Sequence, residues 1–222
     1  MNRLLGALQF RFRALQFRNW ASALFLLLPC SLPQVTEAQV IEFEQNGLKY
    51  QTLTKSGVTV MFALMPARLH QYVIMQVAVS NGAQGPYIIK PEDFTYVRND
   101  GISIRAAAAR NVILMLEQKG NGSDAIKLVT SYENSISGNS HLKSTNGYEQ
   151  RRQAALAMGS VRLKAAAAAS ALAMVQTKLA PGESTDGAVF FPTDGKPLGP
   201  GKLIVRTNTD TFEFNATGLP GP

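Results

Sequence analysis

The chain has 222 residues, 45% of them apolar and 17% charged, with a formal net charge of +7. These values lie in the globular range and exclude a low-complexity or disordered chain. Four arginines (Arg3, Arg11, Arg13, Arg18) and one acid (Glu37) lie in the first 38 residues, so the rest carries 18 basic and 14 acidic residues, a surplus too small to argue for a nucleic-acid partner.

Residues 1–38 read as a secretory signal peptide. Met1 to Trp20 holds the four arginines and no acid, and an apolar run from Ala21 to Pro29 follows. That run is shorter than the ~20 residues a membrane-spanning helix needs. Thr36-Glu37-Ala38 offers small residues at both recognition positions of a signal peptidase, which places cleavage between Ala38 and Gln39. The lone cysteine, Cys30, follows Pro29, and a proline there makes a poor lipid-attachment signal. With Cys30 removed the mature chain has no disulfide, so a packed core must hold it together. The long basic start leaves two alternatives open: a true start further downstream, or an uncleaved anchor. The expected location is the periplasm or the cell exterior, with no stable transmembrane segment after cleavage.

Residues 39–47 read as a flexible lead-in, with Glu42 and Glu44 solvated. A single β-sandwich domain is expected over 48–217, followed by a disordered tail, 218–222. Alternation predicts strands at Lys49–Thr54 and Val58–Leu64, with Pro66 as an interruption, and a long strand over His70–Ser80. In the long strand Val73, Met75, Val77 and Val79 share one apolar face, which should enter the core. Further strands are expected at Tyr87–Lys90, Phe94–Arg98 and Ile102–Ile104, joined by tight turns.

The period then changes. Ala109, Val112, Ile113 and Leu116 mark one helix, and Ser123 is the expected N-cap of a second that continues through Ala125, Leu128, Val129, Tyr132 and Ile136. A polar loop follows over Ser137–Ser144. Thr145 or Asn146 opens a third helical region, rich in alanine and divided at Gly159-Ser160. Its segment from Ala165 to Val175, flanked by Lys164 and Lys178, suits either close packing through small residues or contact with a partner or membrane surface. Strands return at Ala188–Phe191, and Lys202–Arg206 with Thr211–Phe214 form a C-terminal hairpin. The expected class is mainly β with an α insertion over about 106–178, made of a helical hairpin and an Ala-rich helix. Roughly eight or nine strands are expected.

Leu179-Ala180-Pro181-Gly182-Glu183-Ser184, followed by Gly187-Ala188-Val189-Phe190-Phe191-Pro192, resembles the late strands of immunoglobulin-like modules in secreted bacterial proteins. In those modules a proline-glycine-glutamate turn precedes an apolar strand. Leu48 to Ser80 is similar to their opening strands. The resemblance implies an immunoglobulin-like β-sandwich and carries no catalytic residue to transfer.

No residue is assigned a catalytic, cofactor-binding or metal-binding role. His70 and His141, the two histidines a Ser/His/acid arrangement would need, read as solvated. Met61, Met65, His70 and Met75 are close in sequence and thioethers suit Cu(I), but core packing accounts for them better. Glu92-Asp93 reads as a turn or cap, and Arg151-Arg152 as exposed helix charge. Gly120-Asn121-Gly122 and Gly195–Gly201 lack the setting of a phosphate loop. Asn121-Gly122-Ser123 and Asn215-Ala216-Thr217 match a glycosylation signal that matters only in a eukaryote. The expected function is an exported, non-enzymatic binding or structural module without cofactor. It would engage an envelope protein or cell-surface component through the helical insertion. The alternative is an envelope copper-handling protein or hydrolase whose site forms only in three dimensions.

Overall fold

The computed structural model describes residues 39–137 and 147–216. Residues 1–38 with Cys30, the segment 138–146 with His141, and residues 217–222 lie outside the described residues, and so do the expectations placed on them.

The chain is mainly β, with eleven strands and four helices among the described residues. Its first hairpin pairs β1 (Ile41–Gln45) with β2 (Leu48–Lys55). Residues 39–47 are therefore not simply a flexible lead-in. Asn46 and Gly47 both take positive φ, the backbone that an Asn-Gly hairpin turn needs, and Phe43 stacks on Tyr50 with ring centroids 5.2 Å apart. Next come β3 (Val58–Leu69) and β4 (Tyr72–Asn81). Pro66 does not end β3. It sits exposed in an irregularity where the register shifts between Leu64 and Arg68, a place where a strand tolerates a residue without N–H. With β9 (Ser184–Pro192) these strands form an antiparallel sheet in the order β1-β2-β3-β4-β9.

A second sheet has the order β11-β10-β6-β7. It is built from β6 (Phe94–Arg98), β7 (Ser103–Arg105), β10 (Gly201–Arg206) and β11 (Thr211–Asn215). The register of the C-terminal hairpin sets Leu203 opposite Phe214 and Val205 opposite Phe212, and all four are fully buried. They share one apolar cluster with Val60, Phe62, Val73, Met75, Val77 and Val79 of the first sheet. The two sheets thus close on a common core, as the alternation in β4 requires. A small third sheet pairs β5 (Tyr87–Ile89) with β8 (Thr177–Leu179).

The other face of the five-stranded sheet is also buried. Met65, Leu69, Tyr72, Ile74, Ala188 and Phe190 belong to a second cluster with the helices α1 (Ala109–Lys119), α2 (Gly122–Ile136), α3 (Tyr148–Leu156) and α4 (Val161–Leu172). The division at Gly159-Ser160 separates α3 from α4. In α4 the side chains of Ala165, Ala166, Ala168, Ala169, Ala171 and Leu172 are buried, because alanine lets neighbouring helices approach on more than one side.

Both ends of this helical layer are pinned to the edge strand β9. Ala107 N–H donates to the Phe190 carbonyl at 2.8 Å on entry, and Met174 N–H donates to the Ala188 carbonyl at 2.9 Å on exit. These bonds satisfy backbone groups that an open sheet edge would expose. A Cβ on Gly187 would lie 2.7 Å from the Met174 Cα, so the close crossing at Met174 requires glycine.

Candidate functional site

The α1–α2 turn shows how the helical layer presents its outer end. Asn121, not Ser123, caps α2. Its side chain accepts from the Ser123 and Asp124 N–H groups at 2.9 and 3.1 Å, and the Asp124 carboxylate accepts from Asn121 N–H at 2.8 Å. Together these bonds satisfy three backbone N–H groups at the helix start. His70 joins it. Its Nε2 lies 3.0 Å from the Asp124 Oδ2, which is buried. His70 stands in the β3–β4 turn with φ of +51° rather than at the start of β4; it is exposed at the surface, as expected, and Asp124 partners its ring. The pair joins a sheet turn to a helix cap, and its acid is already committed to that cap.

Packed against this turn is the start of α4. A Cβ on Gly122 would sit 3.7 Å from Val161, and one on Gly120 would sit 3.1 Å from the Ala165 Cβ. Ile126, one helical turn beyond Gly122, lies on the same side. The α3–α4 corner exposes Leu156, Met158, Val161 and Leu163, with Val161 beside Gly122 at the start of α2, and Ile126 is exposed one turn further along α2. Their exposures run from 38% to 67%. Lys119, Lys127 and Arg162 are exposed among them, with Lys164 half-buried; the acid nearest in sequence with an exposed side chain is Glu117.

A cleft of about 270 Å³ opens at the opposite end of α4, ~18 Å away by the length of a twelve-residue helix. Arg151, Val175, Thr177, Glu183, Ser184 and Asp186 are among its lining. The charged groups hold the fold together. The Arg151 guanidinium donates to the Ala171 carbonyl at 3.0 Å, at the C-terminal end of α4 where a cation is favoured. Glu183 accepts from Ala180 N–H at 2.7 Å. The Tyr132 hydroxyl donates to the Asp186 carboxylate. Burial, reinforced by Asp186, holds the Tyr132 phenol well above its ordinary ionisation range, while Arg151 opposes the shift. The Tyr148 ring lies tilted against Tyr132 with centroids 5.1 Å apart, and its phenol is raised by burial and by Glu133. Neither His70 nor a methionine lines the cleft.

Among the described residues, those singled out from sequence do not converge. Met75 enters the core between the sheets, whereas Met65 belongs to the cluster under the helices. The two thioethers therefore lie on opposite faces of one sheet and cannot share a copper ion with His70. Glu42 bonds Gln51 at 2.6 Å on the edge hairpin, and Asp93 accepts from Lys90 N–H at 3.0 Å as a cap. Arg152 pairs with Glu133 and with Glu149, while Arg151 turns into the cleft. Among the described residues no group of three or more His, Cys, Asp or Glu side chains is placed to hold a metal ion.

One signal was present in the sequence without a structural frame to read it in. Residues 106–178 hold nine basic and four acidic residues, while the rest of 39–222 holds nine basic and ten acidic. The surplus of positive charge beyond residue 38 lies wholly in residues 106–178. So do seven of the eleven large apolar side chains exposed among the described residues.

No family model matches the chain, and no curated protein does. Among solved structures, the YjhA protein from Bacillus subtilis is similar over 79% of this chain and 95% of its own, at 9% identity and a TM-score of 0.32.

Proposed function

We propose that this chain is an exported, non-catalytic binding module of the bacterial periplasm or cell surface. In this reading an immunoglobulin-like sandwich is the platform and the helical insertion is the working face. The partition of charge and exposed apolar surface carries it: both gather on the insertion, while the sheets are near-neutral. Exposed apolar patches rimmed by polar groups mark interaction surfaces. The non-catalytic character is supported by the cleft, where each charged side chain is engaged in a structural contact: Arg151 with the end of α4, Asp186 with α2, and Glu183 within its own turn. Export rests on the arginine-rich start, the short apolar run and the Thr36-Glu37-Ala38 signal.

A photo-crosslinking amino acid placed at Met158 or Leu163 of the full chain, in its own envelope, tests the working face. Adducts from these positions and none from Lys202 on the sheet are the expected result. Adducts from Lys202 alone would overturn the assignment. N-terminal sequencing of the envelope-fraction protein tests export, with Gln39 expected as the first residue and an intact Met1 in the cytosolic fraction as the contrary result.

A further inference from the structure

We infer that the outer end of the helical layer seats on an anionic lipid surface. This rests on the reading of the insertion as the working face and names what that face meets. Leu156, Met158, Val161 and Leu163 expose apolar side chains on the short α3–α4 corner; Val161 lies beside Gly122 at the start of α2, where Ile126 is exposed one helical turn further on. A corner of this size can enter only the headgroup and upper acyl region. No helix among the described residues is long and apolar enough to cross a membrane, so the geometry is that of contact from one side.

The charges select the lipid. Lys119 closes α1, Lys127 follows Ile126, and Arg162 lies between Val161 and Leu163 in the same turn of α4. Glu117 is an exposed acid on that end, and Asp124 is buried against His70. Apolar residues interleaved with cations suit a surface that offers both acyl chains and negative headgroups. An acidic polymer would take the cations but leave the five apolar side chains in water.

The test is site-resolved, because the apolar leader could bring the full chain to vesicles by itself. In the Cys30→Ser background, Met158→Cys and Lys202→Cys carry an environment-sensitive fluorophore. Each full-length protein is mixed with phosphatidylcholine vesicles, with or without phosphatidylglycerol. A blue shift at position 158 that requires phosphatidylglycerol, with none at position 202, is expected. Lys127→Glu with Arg162→Glu should weaken the response at least tenfold, since each cation near such a surface contributes roughly fivefold. Both side chains are exposed, so the melting temperature should stay the same. Three results would overturn the inference: no shift at 158, an equal shift without phosphatidylglycerol, or an unchanged response after charge reversal. A silent label at 158 with protein adducts from the same position would remove the lipid and leave the working face. Silence in both experiments would remove both.

Discussion

The Tyr132 hydroxyl donates to the Asp186 carboxylate, and this bond ties α2 to the edge strand β9 across 54 residues of sequence. Tyr132 is almost wholly buried, while Asp186 is buried at the lining of the cleft. Tyr132→Phe removes the donor and leaves the carboxylate under-satisfied, at a cost of about 1–3 kcal/mol. Urea unfolding of the variant measures it. A double-mutant cycle with Asp186→Asn should give a coupling well above the scatter expected for independent sites.

Alkaline pH should weaken the fold. Burial pushes the Tyr50 phenol up to about 12 and raises Tyr87, Tyr96, Tyr132 and Tyr148 as well. The folded state therefore keeps these protons when the unfolded chain has released its own. Their contribution is fully present below the unfolded value near 10 and is lost as pH rises through the folded values. The slope is roughly 1.4 kcal/mol per pH unit for each tyrosine. Ultraviolet titration should show phenolate appearing together with unfolding, and Tyr50→Phe should lessen the effect.

Gly187→Ala should be severely destabilising. The added methyl meets Met174 backbone at 2.7 Å, and backbone cannot turn aside as a flexible side chain can. A loss of about 2–3 kcal/mol or more is expected, at the upper end of overpacking effects. Thermal melting checks it, and hydrogen exchange at Met174 N–H should rise with the loss of its bond to Ala188.

Asp124→Ala should cost about 1–2 kcal/mol, since it removes a capping acceptor and the partner of His70 together. Asp124→Asn keeps an acceptor for the cap and should lose less. Denaturant melts of both variants test the order. His70→Ala affects the turn without uncapping α2, so its effect should be smaller than that of Asp124→Ala.

The strands with one apolar face were legible because alternation survives wherever one side meets a core. Val73, Met75, Val77 and Val79 show this. The opposite row of β4, with Tyr72, Ile74, Gln76 and Ala78, is equally buried. Its mixed chemistry hid the fact that helices cover it. Alanine erased the periodicity of α4 by fitting on almost every side. The Asn46-Gly47 turn carried a hairpin signal, yet the acids of β1 masked the strand. At the α2 start two residues competed for the cap, and Asp124 decided between them by reaching back to Asn121 N–H. The Tyr132–Asp186 bond and the approach of Val161 to Gly122 depend on tertiary placement, which local patterns do not encode.

Hydrogen exchange of the full chain, alone and with its own envelope membranes, tests the assignment of the working face most directly. Added protection over residues 119–127 and 156–164, with β10 and β11 unchanged, is the expected result. Protection confined to β10 and β11, with both helical corners unaltered, would contradict it.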